Sequence, residues 1–325
     1  MARRHAALAV ANERAPSLRD DLAEILAGLT APQKHISSKY FYDRHGSELF
    51  DLICTLPEYY PTRTELAIMR RHADEIRALV GPRASIIELG AGSNTKVRRL
   101  LDCLEQPAAY VPVDISPDYL VAQAAELAHD YPGLHVQPVF ADFTRPFELP
   151  RHPVEPARNL VFFPGSTIGN FSRERALELL RVMVAQAKQG GALLIGVDLR
   201  KDPAILHAAY NDSAGVTAAF NLNVLRRFNR ELDATFDLDA FRHSAVYDEA
   251  EGRIEMRLVS KRGQSARLAG VPLHFAWGEH IVTEHSHKYS VDEFRALAAR
   301  AGFEPVRTWT DEDGLFSVHF LTATA

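Results

Sequence analysis

The stretch Ser85-Ile-Ile-Glu-Leu-Gly-Ala-Gly-Ser-Asn-Thr-Lys96 decides how this chain is read. Residues 85–89 are a short apolar run with Ile86, Ile87 and Leu89, closed by Gly90 and Gly92, as expected of a buried parallel strand that enters a tight turn. The pattern then predicts a helix over 95–104. Glycines at such a turn let a ligand approach the main chain closely, and the helix N-terminus behind them favours negative groups. A second apolar run, 109–113, ends in Asp114, about twenty residues on, where a carboxylate can accept hydrogen bonds from ribose hydroxyls. Strand, turn, helix, strand and terminal acid in this order point to a nucleoside-binding α/β unit. Thr95 stands where the third glycine of a dinucleotide fingerprint would be, which turns the reading from a nicotinamide dinucleotide towards S-adenosylmethionine.

Working outward, strand and helix alternate on both sides of this turn. Before it, 17–28 carries Leu18, Leu22, Ile25 and Leu26 on one helical face, with Gly28 at its end. Residues 39–50 read as irregular and aromatic. Thr62 and Glu65 read as a capping box that opens a helix running to Leu79. After the turn, 119–129 is predicted helical, 135–142 a third strand, 144–159 a proline-rich loop, 160–163 a fourth strand, 172–188 a helix and 192–197 a fifth strand ending at Asp198. This rhythm predicts a parallel sheet covered on both faces. It then breaks: 203–210 and 214–228 look helical, and 253–260, 266–275 and 280–289 look like antiparallel strands. Ser290 and Glu293 form another capping box, and 303–309 with 315–323 close the chain as a hairpin.

Composition narrows the class. At 325 residues the chain is long for one domain and suits two, and 46% hydrophobic residues supply a sizeable core. A net charge of −5 and a pI near 6.3 argue against nucleic acid as a partner. Two cysteines, Cys54 and Cys103, stand far apart without a paired motif, which suits a reducing, cytoplasmic setting. Residues 1–16 read as a frayed tail, and no apolar run approaches membrane-spanning length.

Several longer motifs stand in order: Phe41-Tyr-Asp-x-x-Gly-Ser-x-Leu-Phe50, Leu56-Pro-Glu-Tyr-Tyr-Pro-Thr-Arg-Thr-Glu65, Glu88-Leu-Gly-x-Gly92, Phe163-x-Gly-Ser-Thr-Ile-Gly-Asn170, Asn211-Asp-x-Ala-Gly-Val-Thr-Ala-Ala-Phe-Asn221 and Thr283-Glu-x-Ser-x-Lys288. Together they closely resemble the histidine Nα-methyltransferases of ergothioneine biosynthesis, over nearly the whole chain. The resemblance implies an α/β enzyme. Its Rossmann-like methyltransferase sheet (61–198 and 288–325) would bind S-adenosylmethionine. A second α+β domain, formed by the N-terminal segment and an insertion (17–60 and 199–287), would bind the amino acid. The implied reaction is trimethylation of the α-amine of L-histidine to hercynine by a monomeric enzyme, with another amino acid such as tryptophan as the alternative substrate.

The resemblance also implies roles for residues. Gly90, Gly92 and Ser93 of the turn, with Lys96, Asp114, Asp142 and Phe143, would hold the cofactor. Asn170 and Tyr210 would bind the substrate carboxylate. Tyr42, Phe50, Tyr59 and Gly165 would line the place where amine meets methyl donor, the aromatic rings attracting a growing methylammonium. Thr217 and Met256 would shape the pocket. Strand alternation puts Glu284 and Ser286 on one side of 280–289, where a carboxylate and a hydroxyl can hold the two nitrogens of an imidazole. His280, Glu284, His285 and His287 could be read as metal ligands, but the same alternation turns His285 and His287 away from Glu284. No metal is expected.

Overall fold

The computed structural model describes residues 18–151 and 155–324. The reading of 1–16 as a tail falls outside them. Its centre is an eight-stranded sheet of order β12-β13-β6-β5-β1-β2-β3, with the short β4 also alongside β2. The strands are β1 (Ala84–Leu89), β2 (Ala109–Asp114), β3 (His135–Val136), β4 (Val139–Phe140), β5 (Arg158–Phe163), β6 (Ala192–Asp198), β12 (Phe303–Thr310) and β13 (Phe316–Ala323). Strands β1 to β6 run parallel, and β13 enters antiparallel between β6 and β12. The chain is an α/β protein with a mostly parallel sheet. Strand order reverses between β5 and β1, so the ends of β1, β2 and β5 open one crevice, the place where such sheets bind ligands.

Every residue of β1 and β6 is buried, which is why both read as continuous apolar runs. Two apolar layers cover the sheet. Ile87, Val111, Val161 and Ile195 face α7 (Arg173–Ala187) and α10 (Val291–Ala301). Ile86, Leu160, Phe162 and Leu194 share the other layer with α3 (Tyr60–Arg71), α4 (Ala73–Val80), α5 (Thr95–Cys103) and α6 (Pro117–Asp130).

A third core lies apart from these. It joins α1 (Leu22–Thr30) and α2 (Arg44–Ile53) to α8 (Pro203–Tyr210) and α9 (Val216–Glu231), and to two small sheets. One is β11-β8-β7, from β7 (Phe241–Asp248), β8 (Arg253–Ser260) and β11 (His280–His287); the other pairs β9 (Gln264–Leu268) with β10 (Val271–Phe275). In α9, Phe220, Val224 and Phe228 recur every fourth residue and are buried, the spacing of one helical face. Truncating the wholly buried Phe228 to alanine would cost about 3–5 kcal/mol.

Several local expectations give way. The first helix starts at Leu22 and runs past Gly28, which packs against the main chain of His35. The aromatic segment contains α2, because Asp43 caps it by accepting the Gly46 N–H at 2.7 Å. Thr62 and Glu65 form no capping box: α3 already begins at Tyr60, with Pro61 in its first turn, and the chain bends at His72 into α4 rather than continuing. The third strand divides into β3 and β4. The run 266–275 is a hairpin turned at Ala269-Gly270, both at positive φ.

Candidate active site

Two connected cavities open at the crevice. The larger, ≈ 1530 Å³, runs over the ends of β1, β2 and β5. Gly90, Gly92, Ser93, Lys96, Asp114, Asp142 and Phe143 all line it, so the residues expected around a nucleoside cofactor share one wall. Gly90 has φ +72°, and its N–H donates to Val113 O at 2.8 Å, tying the turn to the end of β2. Phe143 closes over that turn: a Cβ at Gly90 would lie 3.3 Å from its ring. Burial pushes the Asp114 carboxyl up to about 6, against the pull of the Ser116 N–H that Oδ1 accepts at 2.8 Å. Asp142 accepts the Thr144 N–H at 3.0 Å. Behind the turn, burial drives Glu88 up to about 8 although the Tyr110 hydroxyl donates to it.

The smaller cavity, ≈ 60 Å³, is lined by Tyr42, Phe50, Tyr59, Gly165, Asn170, Tyr210, Thr217, Met256, Glu284 and Ser286, together with residues that pack around them. Tyr42, Phe50, Gly165, Asn170 and Glu284 line the larger cavity too and mark the junction. The residues come from the segment before α2, α2 itself, the turn before α3, α8, α9, β8, β11 and the loop after β5, stretches far apart in the chain. Tyr42 and Phe50 meet edge-on at 5.8 Å, Phe50 and Tyr59 at 6.2 Å, and Phe220 of α9 backs Tyr42 at 5.7 Å. Phe220 stands in the 211–221 motif with no role expected of it; its place on the buried face of α9 is the signal that marks it.

Glu284 and Ser286 both face this cavity, although a bulge between Val282 and Glu284 shifts the register of β11 against β8. Glu284 opens partly to the cleft, yet the walls displace enough water to push its carboxyl up to about 7, with Lys288 pulling the other way. Its hydrogen bond from Asn170 Nδ2 is long, at 3.5 Å. Ser286 Oγ accepts from the Tyr210 hydroxyl and from Lys288 Nζ, each at 2.8 Å. Lys288 is wholly buried and also pairs with Asp198 at 2.7 Å, a carboxylate that Tyr60 and Lys201 reach as well. Burial raises Asp198, but Lys288 and Lys201 overrule it and hold the carboxyl below its ordinary range. The Tyr210 hydroxyl, expected on a substrate carboxylate, is thus engaged with Ser286 and Lys288 in this structure. His285 lies on the opposite face against Glu255 at 3.3 Å. Burial pushes the neighbouring His287 down to about 4. Among the described residues, no group of three or more histidine, cysteine or acidic side chains could hold a metal ion.

The arrangement presents a wide cleft, a small polar and aromatic pocket, and an opening between them at Tyr42 and Gly165. A family model described as histidine-specific, S-adenosylmethionine-dependent methyltransferase matches residues 21–323. The chain is 42% identical over 313 residues to histidine N-alpha-methyltransferase of Mycolicibacterium smegmatis, covering 95% of each chain. It is 41% identical over 302 residues to the protein of the same name from Mycobacterium tuberculosis, covering 91% of this chain and 92% of that one. Ergothioneine biosynthesis protein 1 of Neurospora crassa is 29% identical over 301 residues, 90% of this chain but 34% of that longer one. With the match spanning both cavities and nearly the whole length, the chain belongs to the histidine-specific, S-adenosylmethionine-dependent methyltransferase family.

Proposed function

We propose that this protein trimethylates the α-amine of L-histidine to hercynine, a step of ergothioneine biosynthesis. The observation that carries the reading is the placement of Glu284 and Ser286 together in a small pocket that joins the cleft at Tyr42 and Gly165. An imidazole seated between Glu284 and Ser286 would donate one ring N–H to the carboxylate and offer its other nitrogen to the hydroxyl. Its α-amine would then point at the opening. We assign 61–198 and 288–325 to the cofactor half, and 17–60 and 199–287 to the amino-acid half.

S-adenosylmethionine supplies an already activated methyl group, and the cleft suits it: a glycine turn for close approach and Asp114 for the ribose. The protein's own work is orientation and exclusion of water. The free α-amine is mostly protonated near neutral pH, so the pocket must take its neutral form or pass the proton to water. In each transfer the amine lone pair forms the new N–C bond as the methyl–sulfur bond breaks, and the sulfur keeps the bonding pair. A proton leaves the product after the first two rounds. Tyr42, Phe50, Tyr59 and Phe220, packed ring against ring, would surround the growing cation. Reaction ends at the quaternary ammonium, which has no lone pair. The small pocket and its carboxylate favour imidazole over the bulkier, charge-indifferent indole of tryptophan.

The test is mass spectrometry of reactions with a panel of amino acids. Histidine should gain one, two and then three methyl groups and outpace every other member. A preparation that binds S-adenosylmethionine yet leaves histidine unmethylated would refute the assignment.

A further inference from the structure

Glu65 is the acid of the Thr-x-x-Glu pattern that fails to cap α3, and it is 1% exposed. Both of its carboxylate oxygens accept the Gly165 N–H at 3.0 Å, and Oε2 pairs with Lys96 Nζ at 2.7 Å. The carboxylate has room only because residue 196 is glycine: a Cβ there would stand 2.0 Å from Glu65 Oε1. Lys96 in turn crowds Gly165, where a Cβ would lie 2.9 Å from Nζ. Gly165 lines both cavities, so the Lys96 ammonium sits beside their junction.

Resting on the methyl-transfer reading above, that junction must admit a sulfonium and then hold a methylated ammonium. An uncompensated lysine beside it would repel both, because like charges still interact across several ångströms in a site stripped of bulk water. A neutral side chain could pin the Gly165 turn equally well; only an anion also cancels the lysine. We propose that Glu65 is a positioning and charge-compensating residue, which neutralises Lys96 at the point of methyl transfer while holding the Gly165 turn in place. Lys96 then keeps N–H donors for the cofactor without setting a net positive charge against it.

The test compares calorimetric affinities for S-adenosylmethionine and S-adenosylhomocysteine, which differ at the sulfur by one positive charge. Glu65→Gln keeps an acceptor for the Gly165 N–H and removes the charge. It should weaken S-adenosylmethionine about tenfold and S-adenosylhomocysteine by less than about threefold. Glu65→Asp should keep the wild-type ratio of the two affinities. Lys96→Gln, which leaves Glu65 without its cation, should shift the ratio the other way, towards S-adenosylmethionine. Equal losses of both ligands in Glu65→Gln would overturn the proposal. If that variant does not fold, an unmoved ratio in Lys96→Gln overturns it instead. Wild-type protein that binds neither ligand would sink the methyl-transfer reading itself, a distinct outcome.

Discussion

The wide cleft over β1 and the small pocket lined by β11 meet at Gly165, but they are built from different materials. The cleft, at ≈ 1530 Å³, is shaped by main-chain turns at the ends of parallel strands, with Asp114 as its fixed acid. The pocket, at ≈ 60 Å³, is shaped by side chains: a ring cluster, a carboxylate with a long hydrogen bond from Asn170, and a hydroxyl wired to a buried lysine. A main-chain site survives many substitutions because its geometry belongs to the fold. A site of side chains changes its ligand when one of them changes. Binding of the shared cofactor and choice of amino acid should therefore separate under mutation. Glu284→Ala should raise KM for histidine about a hundredfold, the worth of a hydrogen bond to a charged group, and leave the affinity for S-adenosylmethionine within about twofold. Asp114→Asn should do the converse, weakening S-adenosylmethionine about tenfold with little effect on histidine selectivity. Calorimetry and steady-state kinetics on both variants check this, and parallel losses of both ligands would break the division.

The same contrast governs what could be read from the sequence. The strand–turn–helix around Gly90 and the acid at Asp114 announced themselves locally, because hydrophobic period and glycine placement are short-range signals. The closing helix and hairpin were equally legible. Residues 284 and 286 could be placed on one face of a strand, but nothing local says that this face meets Tyr42 or Gly165. Only the family resemblance proposed that encounter. Glu65 shows the limit. Its spacing from Thr62 matched a capping box, yet α3 starts two residues earlier, and tertiary partners at Gly165 and Lys96 claim the carboxylate. The hairpin at Gly270 leaves no local mark because apolar residues continue across it, and α2 leaves none because its cap, Asp43, lies within an aromatic run.

A test of stability rather than of binding asks whether the pocket is dry enough to hold Glu284 as the structure indicates. With its carboxyl near 7 in the folded protein and near the ordinary value when unfolded, the native state holds this proton more tightly. Unfolding then releases a proton between about pH 4.5 and pH 7, so the contribution of Glu284 is at its best below that window and is lost as pH rises through it. Glu284→Gln cannot ionise. Its stability relative to wild type should climb between pH 5 and pH 8, by on the order of 3 kcal/mol at most. Glu88 and Asp114, also raised by burial, titrate in both proteins and drop out of the difference. Denaturant unfolding across this range provides the measurement. A flat difference would mean that water reaches the carboxyl freely, and a ring N–H would then gain little over water as its hydrogen-bond donor.

The smallest expected effect comes from a helix behind the central sheet that touches neither cavity. Ser290 and Glu293 form a full capping box at the start of α10: the Ser290 hydroxyl accepts the Glu293 N–H at 3.1 Å, and the Glu293 carboxylate accepts the Ser290 N–H at 2.8 Å. Among the described residues, none of α10 lines either cavity. Ser290→Ala removes one acceptor from the helix start and should cost about 1 kcal/mol, read as a lower melting temperature. Because α10 acts through the apolar layer behind β1 and β5 rather than through the ends of those strands, both ligand affinities should stay at their wild-type values. A variant that loses cofactor affinity alone would show that the cleft borrows rigidity from this layer, and that its main-chain geometry is less self-sufficient than the comparison with the pocket implies.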